Sequence, residues 1–196
     1  RSEASELLGF HFHRSHLAIA RKPASLSLTK VAAGPGPLVI LPEIADPGNL
    51  GTIIRNTAAL GGCGLLLGKG ASPWNAKAIR ASAGSLFKLP IRRSPALADD
   101  LRALAASRLV IGTSLSPASV PLRHLPTPTR PLALLLGPED FGLGPEMEGL
   151  CHHLVHLPMS RAIDSLNVAS ASAVFLHHLQ TLTRPEDPGN FTLPNI

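Results

Sequence analysis

Three loops of this sequence hold residue types that let a backbone approach a ligand closely. They are Pro42 to Asn49, Gly137 to Gly144 and Pro158 to Asn167, each rich in Gly, Pro or small polar residues. In a parallel α/β sheet such loops, placed after strands, are where a nucleotide-like molecule binds. Two common phosphate-binding devices are excluded. Gly68-Lys69 has no glycine five residues before Gly68, and Gly70 stands where a P-loop needs Ser or Thr. No GxGxxG follows the first predicted strand, so a standard dinucleotide fold is unsupported. Cys151, His152, His153 and His156 could suggest a metal. His153 and His156, however, fall in a predicted strand, where residues three apart face opposite sides. Zinc sites also obey tighter spacing rules. These histidines are read as polar loop and strand residues, and no metal is expected.

The elements that must position the loops follow from apolar runs and their punctuation. Leu38 to Leu41 is a short buried strand, Asp46 to Asn49 a loop, and Leu50 to Gly61 a helix with Ile53, Ile54, Thr57, Ala58 and Leu60 on its apolar side. Further strands are predicted at Gly64–Gly68, Lys88–Arg92, Leu109–Gly112, Pro131–Gly137 and His153–Leu157. Helices are predicted at Asn75–Ser82, Ala96–Ala106, Pro145–Leu150 and Leu166–Leu182. Short apolar strands alternating with helices predict an α/β fold, a mostly parallel sheet with helices on both faces. Residues 1–36 read as an N-terminal extension, or the remnant of an RNA-binding domain, ending in the turn Gly34-Pro35-Gly36-Pro37, residues 37–184 as the main domain, and residues 185–196 as a loose tail.

Composition sets the outer limits. With 196 residues, 44% hydrophobic and 16% charged, the chain can bury one α/β core and is not broadly disordered. No run of about 18 apolar residues is present, so no membrane span is expected. The segment Arg1 to His16 is not a secretory signal. Arg1 is not a natural start, so a processed or trimmed chain is expected. Cys63 and Cys151 make no CxxC motif or disulfide framework and are expected as reduced, buried thiols in a cytoplasmic setting. The net charge of +5 and pI near 9.9 favour a polyanionic partner.

The three loops, taken in order, resemble a known family. Asn49-Leu50-Gly51-Thr52-Ile53-Ile54-Arg55-Asn56-Thr57-Ala58 resembles the first motif of the SpoU-TrmH family of the SPOUT methyltransferase superfamily. Leu134-Leu135-Leu136-Gly137-Pro138-Glu139-Asp140-Phe141-Gly142-Leu143 resembles the second. Leu157-Pro158-Met159-Ser160 with Asp164-Ser165-Leu166-Asn167-Val168-Ala169-Ser170 resembles the third. The likeness covers about residues 37–182. It implies a parallel sheet with a deep C-terminal trefoil knot, which periodicity alone would never predict because knots are so rare. It also implies a homodimer, S-adenosylmethionine as cofactor, and methyl transfer to a ribose 2′-hydroxyl of tRNA or rRNA.

Each site residue has a plain reading beside the one the resemblance implies. Arg55 alone would be a surface cation on a helix. Within the motif it is the catalytic candidate, a guanidinium that holds a phosphate and stabilises the developing alkoxide. Asn49 can cap the helix that begins there, and the resemblance adds a place in the catalytic set. Glu139 would be a solvated loop carboxylate, and by resemblance it orients catalytic groups. Gly137 lets backbone atoms approach the cofactor. Leu136, Leu157, Met159 and Leu166 are core residues by pattern and flank the adenine by resemblance. Ser165 and Asn167 are simple caps of the last helix, or catalytic and cofactor-binding groups at its free N–H groups. Thr113 and Ser114 match a cofactor-lining loop. Arg80, Lys88, Arg92 and Arg93, with Arg14, Arg21 and Lys22, are candidate phosphate contacts. With six Phe, one Trp and no Tyr, no base-stacking platform is evident. The alternative is a non-catalytic RNA-binding dimer of the same fold. That alternative predicts a damaged cofactor site, whereas Gly137, Ser165, Leu166 and Asn167 are intact.

Overall fold

The computed structural model describes residues 20–138, 141–160 and 166–183. In chain order the elements are α1 (Leu28–Val31), β1 (Leu38–Ile44), α2 (Pro47–Ala59), β2 (Gly64–Gly70), α3 (Ala76–Ala81), β3 (Ile91–Arg93), α4 (Leu97–Ala105), β4 (Leu109–Thr113), β5 (Val120–Pro121), β6 (Leu132–Leu135), α5 (Gly144–Glu148), β7 (His153–His156) and α6 (Val168–Thr183). Short 3-10 turns stand at Ser85–Phe87 and Leu122–His124. Among the described residues the strands form one sheet, ordered β3–β2–β1–β6–β4–β7–β5, with every pairing parallel.

The strand sequences explain why both faces are covered. Successive side chains of a strand alternate between faces. Leu38 and Ile40 of β1 enter one cluster with Val31, Leu66, Leu101, Leu104 and Val110. Val39 and Leu41 enter the other, with Leu50, Ile53, Ile54, Phe175 and Leu176. α1 and α4 therefore supply one layer, and α2 and α6 the other. The unbroken apolar runs of β1, β2 and β6 are those of strands buried on both sides.

Three local departures from the sequence expectation have physical causes. The helix expected at Leu50 starts at Pro47, because Asp46 is its cap: the Asp46 carboxylate accepts from Asn49 N–H at 2.8 Å, and Pro47 fits the first turn. Asn49 thus lies inside the first turn and does not cap the helix. The strand expected at Lys88–Arg92 is confined to Ile91–Arg93, since Ser85–Phe87 curls into a 3-10 turn. Within the expected extension, residues 28–31 are helical and Val31 is fully buried.

A buried guanidinium ties that segment down. Arg108, 4% exposed, donates to the carbonyls of Ala32, Gly34, Gly36 and Leu132 at 2.6–3.0 Å. The last helix is fastened from the other side. Asn56 Nδ2 donates to Ala169 O at 2.8 Å and Ser172 Oγ at 3.0 Å, joining α2 to α6. No described helix is long and apolar enough to cross a membrane.

Candidate cofactor and active site

Three strands that neighbour one another in the sheet, β6, β4 and β7, end at one cavity of about 500 Å³. That is the size of small-molecule sites in general. Its walls come from the ends of those strands, the segments after them, Glu148 at the end of α5, and α6. Of the residues expected to hold a cofactor, Thr113, Ser114, Leu136, Gly137, Leu157, Met159 and Leu166 all line it. Leu166 is 44% exposed, so its side chain belongs to the cavity rim and not to the core.

Backbone geometry explains the small residues. A Cβ on Gly137 would lie 2.9 Å from Gly142 C and Leu143 N, so only glycine lets the loop after β6 fold back on itself. The Gly137 N–H donates to Thr113 Oγ1 at 3.3 Å, linking the ends of β6 and β4. Ser114 Oγ donates to Glu148 Oε1 and accepts from Ser116 N–H at 2.9 Å. His156 Nδ1 lies 2.9 Å from Ser119 Oγ, whose proton goes to Ser116 O at 2.8 Å. The imidazole therefore donates from Nδ1.

Two of the catalytic candidates, Asn49 and Asn167, meet beside this cavity, Asn167 standing between the lining residues Leu166 and Val168. Asn167 Nδ2 donates to Asn49 Oδ1 at 3.1 Å, so the first and third motifs meet. Asn167 also caps α6, its Oδ1 accepting from Ala169 N–H at 3.0 Å and Ser170 N–H at 3.3 Å. Arg55 is exposed on α2, a helix that contributes nothing to the cavity wall of its own chain. Glu139 and Ser165 fall outside the described residues, as does Arg14.

Other sequence candidates have different neighbours. Arg92 pairs with Asp100 at 3.6 Å and donates to Leu26 O, while Arg93 donates to the carbonyls of Gly68, Gly70 and Ala71. Both are committed to holding loops. Arg80 and Lys88 are exposed and make no ion pair among the described residues. His152 Nδ1 accepts from Val110 N–H. Desolvation, aided by the charge of Arg130, holds the His152 imidazole below its ordinary pKa. Among the described residues no group of His, Cys, Asp and Glu could hold a metal.

The residues 36–177 match the model of the SpoU rRNA Methylase family. The chain belongs to that family. It is 34% identical over 174 residues to an uncharacterized tRNA/rRNA methyltransferase of Mycobacterium tuberculosis strain H37Rv, covering 87% of this chain and 60% of the relative. It is 33% identical over 146 residues to the 23S rRNA (guanosine(2553)-2′-O)-methyltransferase RlmP of Bacillus subtilis, covering 73% and 57%. Among solved structures, an AdoMet-bound rRNA methyltransferase from Sinorhizobium meliloti superposes with a TM-score of 0.69 at 34% identity, covering 74% of this chain and 56% of that one. The chain thus spans about six-tenths of the length of the curated relatives it matches. In this SpoU family member the described parts of the second and third motifs line one cavity, and Asn49 of the first motif is hydrogen-bonded to Asn167 of the third.

Sequence reasoning missed Ser116, Glu148, His156 and Phe175 as cavity residues. Ser116 stands just beyond the strand that ends at Thr113, so a wider search of post-strand loops would have found it. Glu148 and Phe175 reach the cavity through tertiary packing alone.

Proposed function

We propose that this chain is the methyltransferase portion of an RNA-modifying enzyme that uses S-adenosylmethionine to methylate a ribose 2′-hydroxyl of tRNA or rRNA. The observation that carries the reading is the cavity at the ends of β4, β6 and β7, lined by seven of the nine cofactor-site candidates. Its chemistry fits the cofactor: Leu136, Leu157, Leu166 and Phe175 offer an apolar slot for a purine, and Ser114 and Glu148 offer polar partners at its edge. When bound, S-adenosylmethionine supplies a methyl group on a sulfonium, a very good leaving group.

The chain's own residues have the remaining work of positioning and charge control. The bound cofactor would hand its methyl group to the 2′-oxygen and leave as the neutral thioether, with the hydroxyl proton passing to solvent. Arg55 stabilises the developing alkoxide and holds an adjacent phosphate. Asn49 and Asn167, hydrogen-bonded to each other, orient the acceptor ribose. Glu139 and Ser165 complete the set that the family resemblance implies. The working unit is a homodimer. What supports this is that Arg55 projects from a helix outside its own chain's cavity wall, so a second copy would bring the two together. Residues 37–184 form the methyltransferase domain, with 1–36 an extension and 185–196 a tail. The C-terminal segment carries the knot of the superfamily, and the placement of β6 between β1 and β4 is compatible with it. Action on RNA in bacterial relatives supports a cytoplasmic setting.

The test is transfer of labelled methyl groups from S-adenosylmethionine to total RNA, followed by nuclease digestion and mass spectrometry of the nucleosides. The expected products are 2′-O-methylnucleosides. Base-methylated products would overturn the ribose assignment. RNA binding without transfer would favour the non-catalytic dimer.

A further inference from the structure

Between Asp46 and Asp99 the sequence has seven Lys and Arg residues and no Asp or Glu. The chain's net charge of +5 therefore arises entirely in this stretch. It builds α2, β2, α3, the Ser85–Phe87 turn and β3, which are one edge of the sheet and the layer over it. Lys77 and Arg92 are paired with Asp46 and Asp100, whereas Arg55, Arg80 and Lys88 are exposed and in no ion pair among the described residues. These three share a surface because α3 lies tight on α2: a Cβ on Gly51 would stand 2.4 Å from Ala78 O and 2.6 Å from Ala81 Cβ. Arg55 is one turn beyond Gly51 on the same side of α2. Arg80 and Lys88 flank the segment that leaves α3.

That segment presents Phe87, which is 72% exposed. Its neighbours Leu86 and Leu89 are buried in the core cluster that holds Ile53 and Ile54. The Lys88 and Leu89 amides both donate to Ser85 O, at 3.0 and 3.1 Å, so the ring is carried on a fixed turn. In a 3-10 turn side chains three apart eclipse one another. The residue three before Phe87 is Gly84, and even a Cβ there would meet nothing within 4 Å. One flank of the ring is thus left open. None of the other large exposed hydrophobics, Leu115, Val120, Phe141, Leu166 and Val174, lies on these elements. A single ring among cations is too small for an apolar protein interface. It has the make-up of a base-stacking site beside a phosphate track.

We propose that Phe87 is a stacking platform for one unpaired base of the RNA, with Arg80 and Lys88 holding the phosphates on either side of it. This rests on the RNA reading above and narrows it, since the RNA must be single-stranded where it crosses this edge. Every base has a π-face, so the platform tolerates any sequence. It discriminates by pairing state instead, because a base inside a duplex is already stacked on both faces. Composition, with six Phe and no Tyr, gave no sign of such a platform. The fixed exposure of one Phe within the acid-free stretch supplies it.

The probes are two end-labelled RNAs of roughly ten nucleotides, one an unpaired strand and one a blunt duplex, titrated into the full chain by fluorescence anisotropy. In Phe87→Ala, affinity for the unpaired strand should fall by about 5–100-fold. Affinity for the duplex should stay within about twofold. Phe87→Trp should keep strand binding, and the strand, unlike the duplex, should quench the emission of the added indole. Lys88→Gln should lower the slope of log affinity against log salt by about 0.7 for the strand. Because Phe87 is exposed, the urea midpoint and the S-adenosylhomocysteine affinity of Phe87→Ala should match those of the unsubstituted chain. Unchanged strand affinity in Phe87→Ala overturns the proposal, and so does an equal loss for strand and duplex. A lower light-scattering mass for Phe87→Ala would assign the ring to a contact between two copies of the chain and overturns it as well. If Phe87→Ala keeps full strand affinity while the chain still transfers methyl groups to total RNA, the platform falls alone. If the folded, unsubstituted chain binds neither RNA and transfers nothing to total RNA, the RNA reading falls and the platform with it.

Discussion

Replacing Arg108 should damage the fold while sparing the cofactor cavity. Its guanidinium spans four carbonyls: Ala32, Gly34 and Gly36 before β1, and Leu132 at the start of β6. A hydrogen bond from a charged donor contributes about 1.5–3 kcal/mol in isolation, so four taken singly would suggest roughly 6–12 kcal/mol. That sum is too large for two reasons. Only the bond to Leu132 O is fully buried, so the other carbonyls can turn to water in the variant. Removing the guanidinium also relieves the desolvation of a buried charge. A net loss of about 3 kcal/mol in Arg108→Met is the expected outcome, a large part of the stability of an ordinary domain. With a urea m-value near 3 kcal/mol per molar, the unfolding midpoint followed by circular dichroism should fall by about 1 M. Arg108→Lys should recover less than half of this, because one ammonium cannot reach four carbonyls placed around a planar fork. Arg108 precedes β4, whereas the cavity lies beyond the carboxyl end of that strand. Affinity for S-adenosylhomocysteine in the folded fraction should therefore be unchanged. A midpoint shift under about 0.3 M would refute the clamp. A loss of cofactor affinity without loss of stability would refute the separation of clamp from site.

Other outcomes follow from the same geometry. Arg55→Ala should abolish methyl transfer with S-adenosylhomocysteine affinity nearly intact, and full activity in that variant would remove Arg55 from the mechanism. Gly137→Ala places a Cβ against the backbone of Gly142 and Leu143, so calorimetry should show affinity for S-adenosylhomocysteine weakened by roughly tenfold or more. Burial, and then the charge of Glu148, pushes the Cys151 thiol up to about 12. At pH 8 its alkylation, followed by mass spectrometry, should run about a thousandfold slower than that of a free thiol. Because this pKa is raised in the fold, the associated stability is present below the ordinary thiol value and is lost as pH climbs towards 12. The His152 imidazole, held low by desolvation, should titrate below a free histidine in an NMR pH series.

The parts of this fold that could be read from sequence are those where local pattern and tertiary outcome agree. Leu38–Leu41 and Leu132–Leu135 are unbroken apolar runs, and both lie in doubly buried strands. The start of α2 was misplaced because Asp46-Pro47-Gly48 reads as a turn, although Asp before Pro is equally a helix start once the chain is fixed there. β5 is two residues long and contains Pro121, too short for any period to register. At the site, the cofactor-lining loops were visible as small-residue segments after strands. What composition could not show was which loops converge. That depends on β6 lying between β1 and β4, a non-local choice. Ser116 and Glu148 came to light only when that convergence put them on one wall. The same convergence brought Asn49 to Asn167 across more than a hundred residues.

The central position of β6 also bears on how the chain is made. It alone joins β3–β2–β1 to β4–β7–β5, so without it the sheet is two three-stranded fragments. Yet roughly ninety residues separate β1 from β6, so at ordinary synthesis rates of 5–20 residues per second the open edge of β1 waits about 5–20 s for its partner. For that interval the nascent chain presents one open edge of a strand whose first four residues are all apolar. The nascent chain is then most open to wrong pairing at the edge that β6, one of the three strands ending at the cavity, later covers.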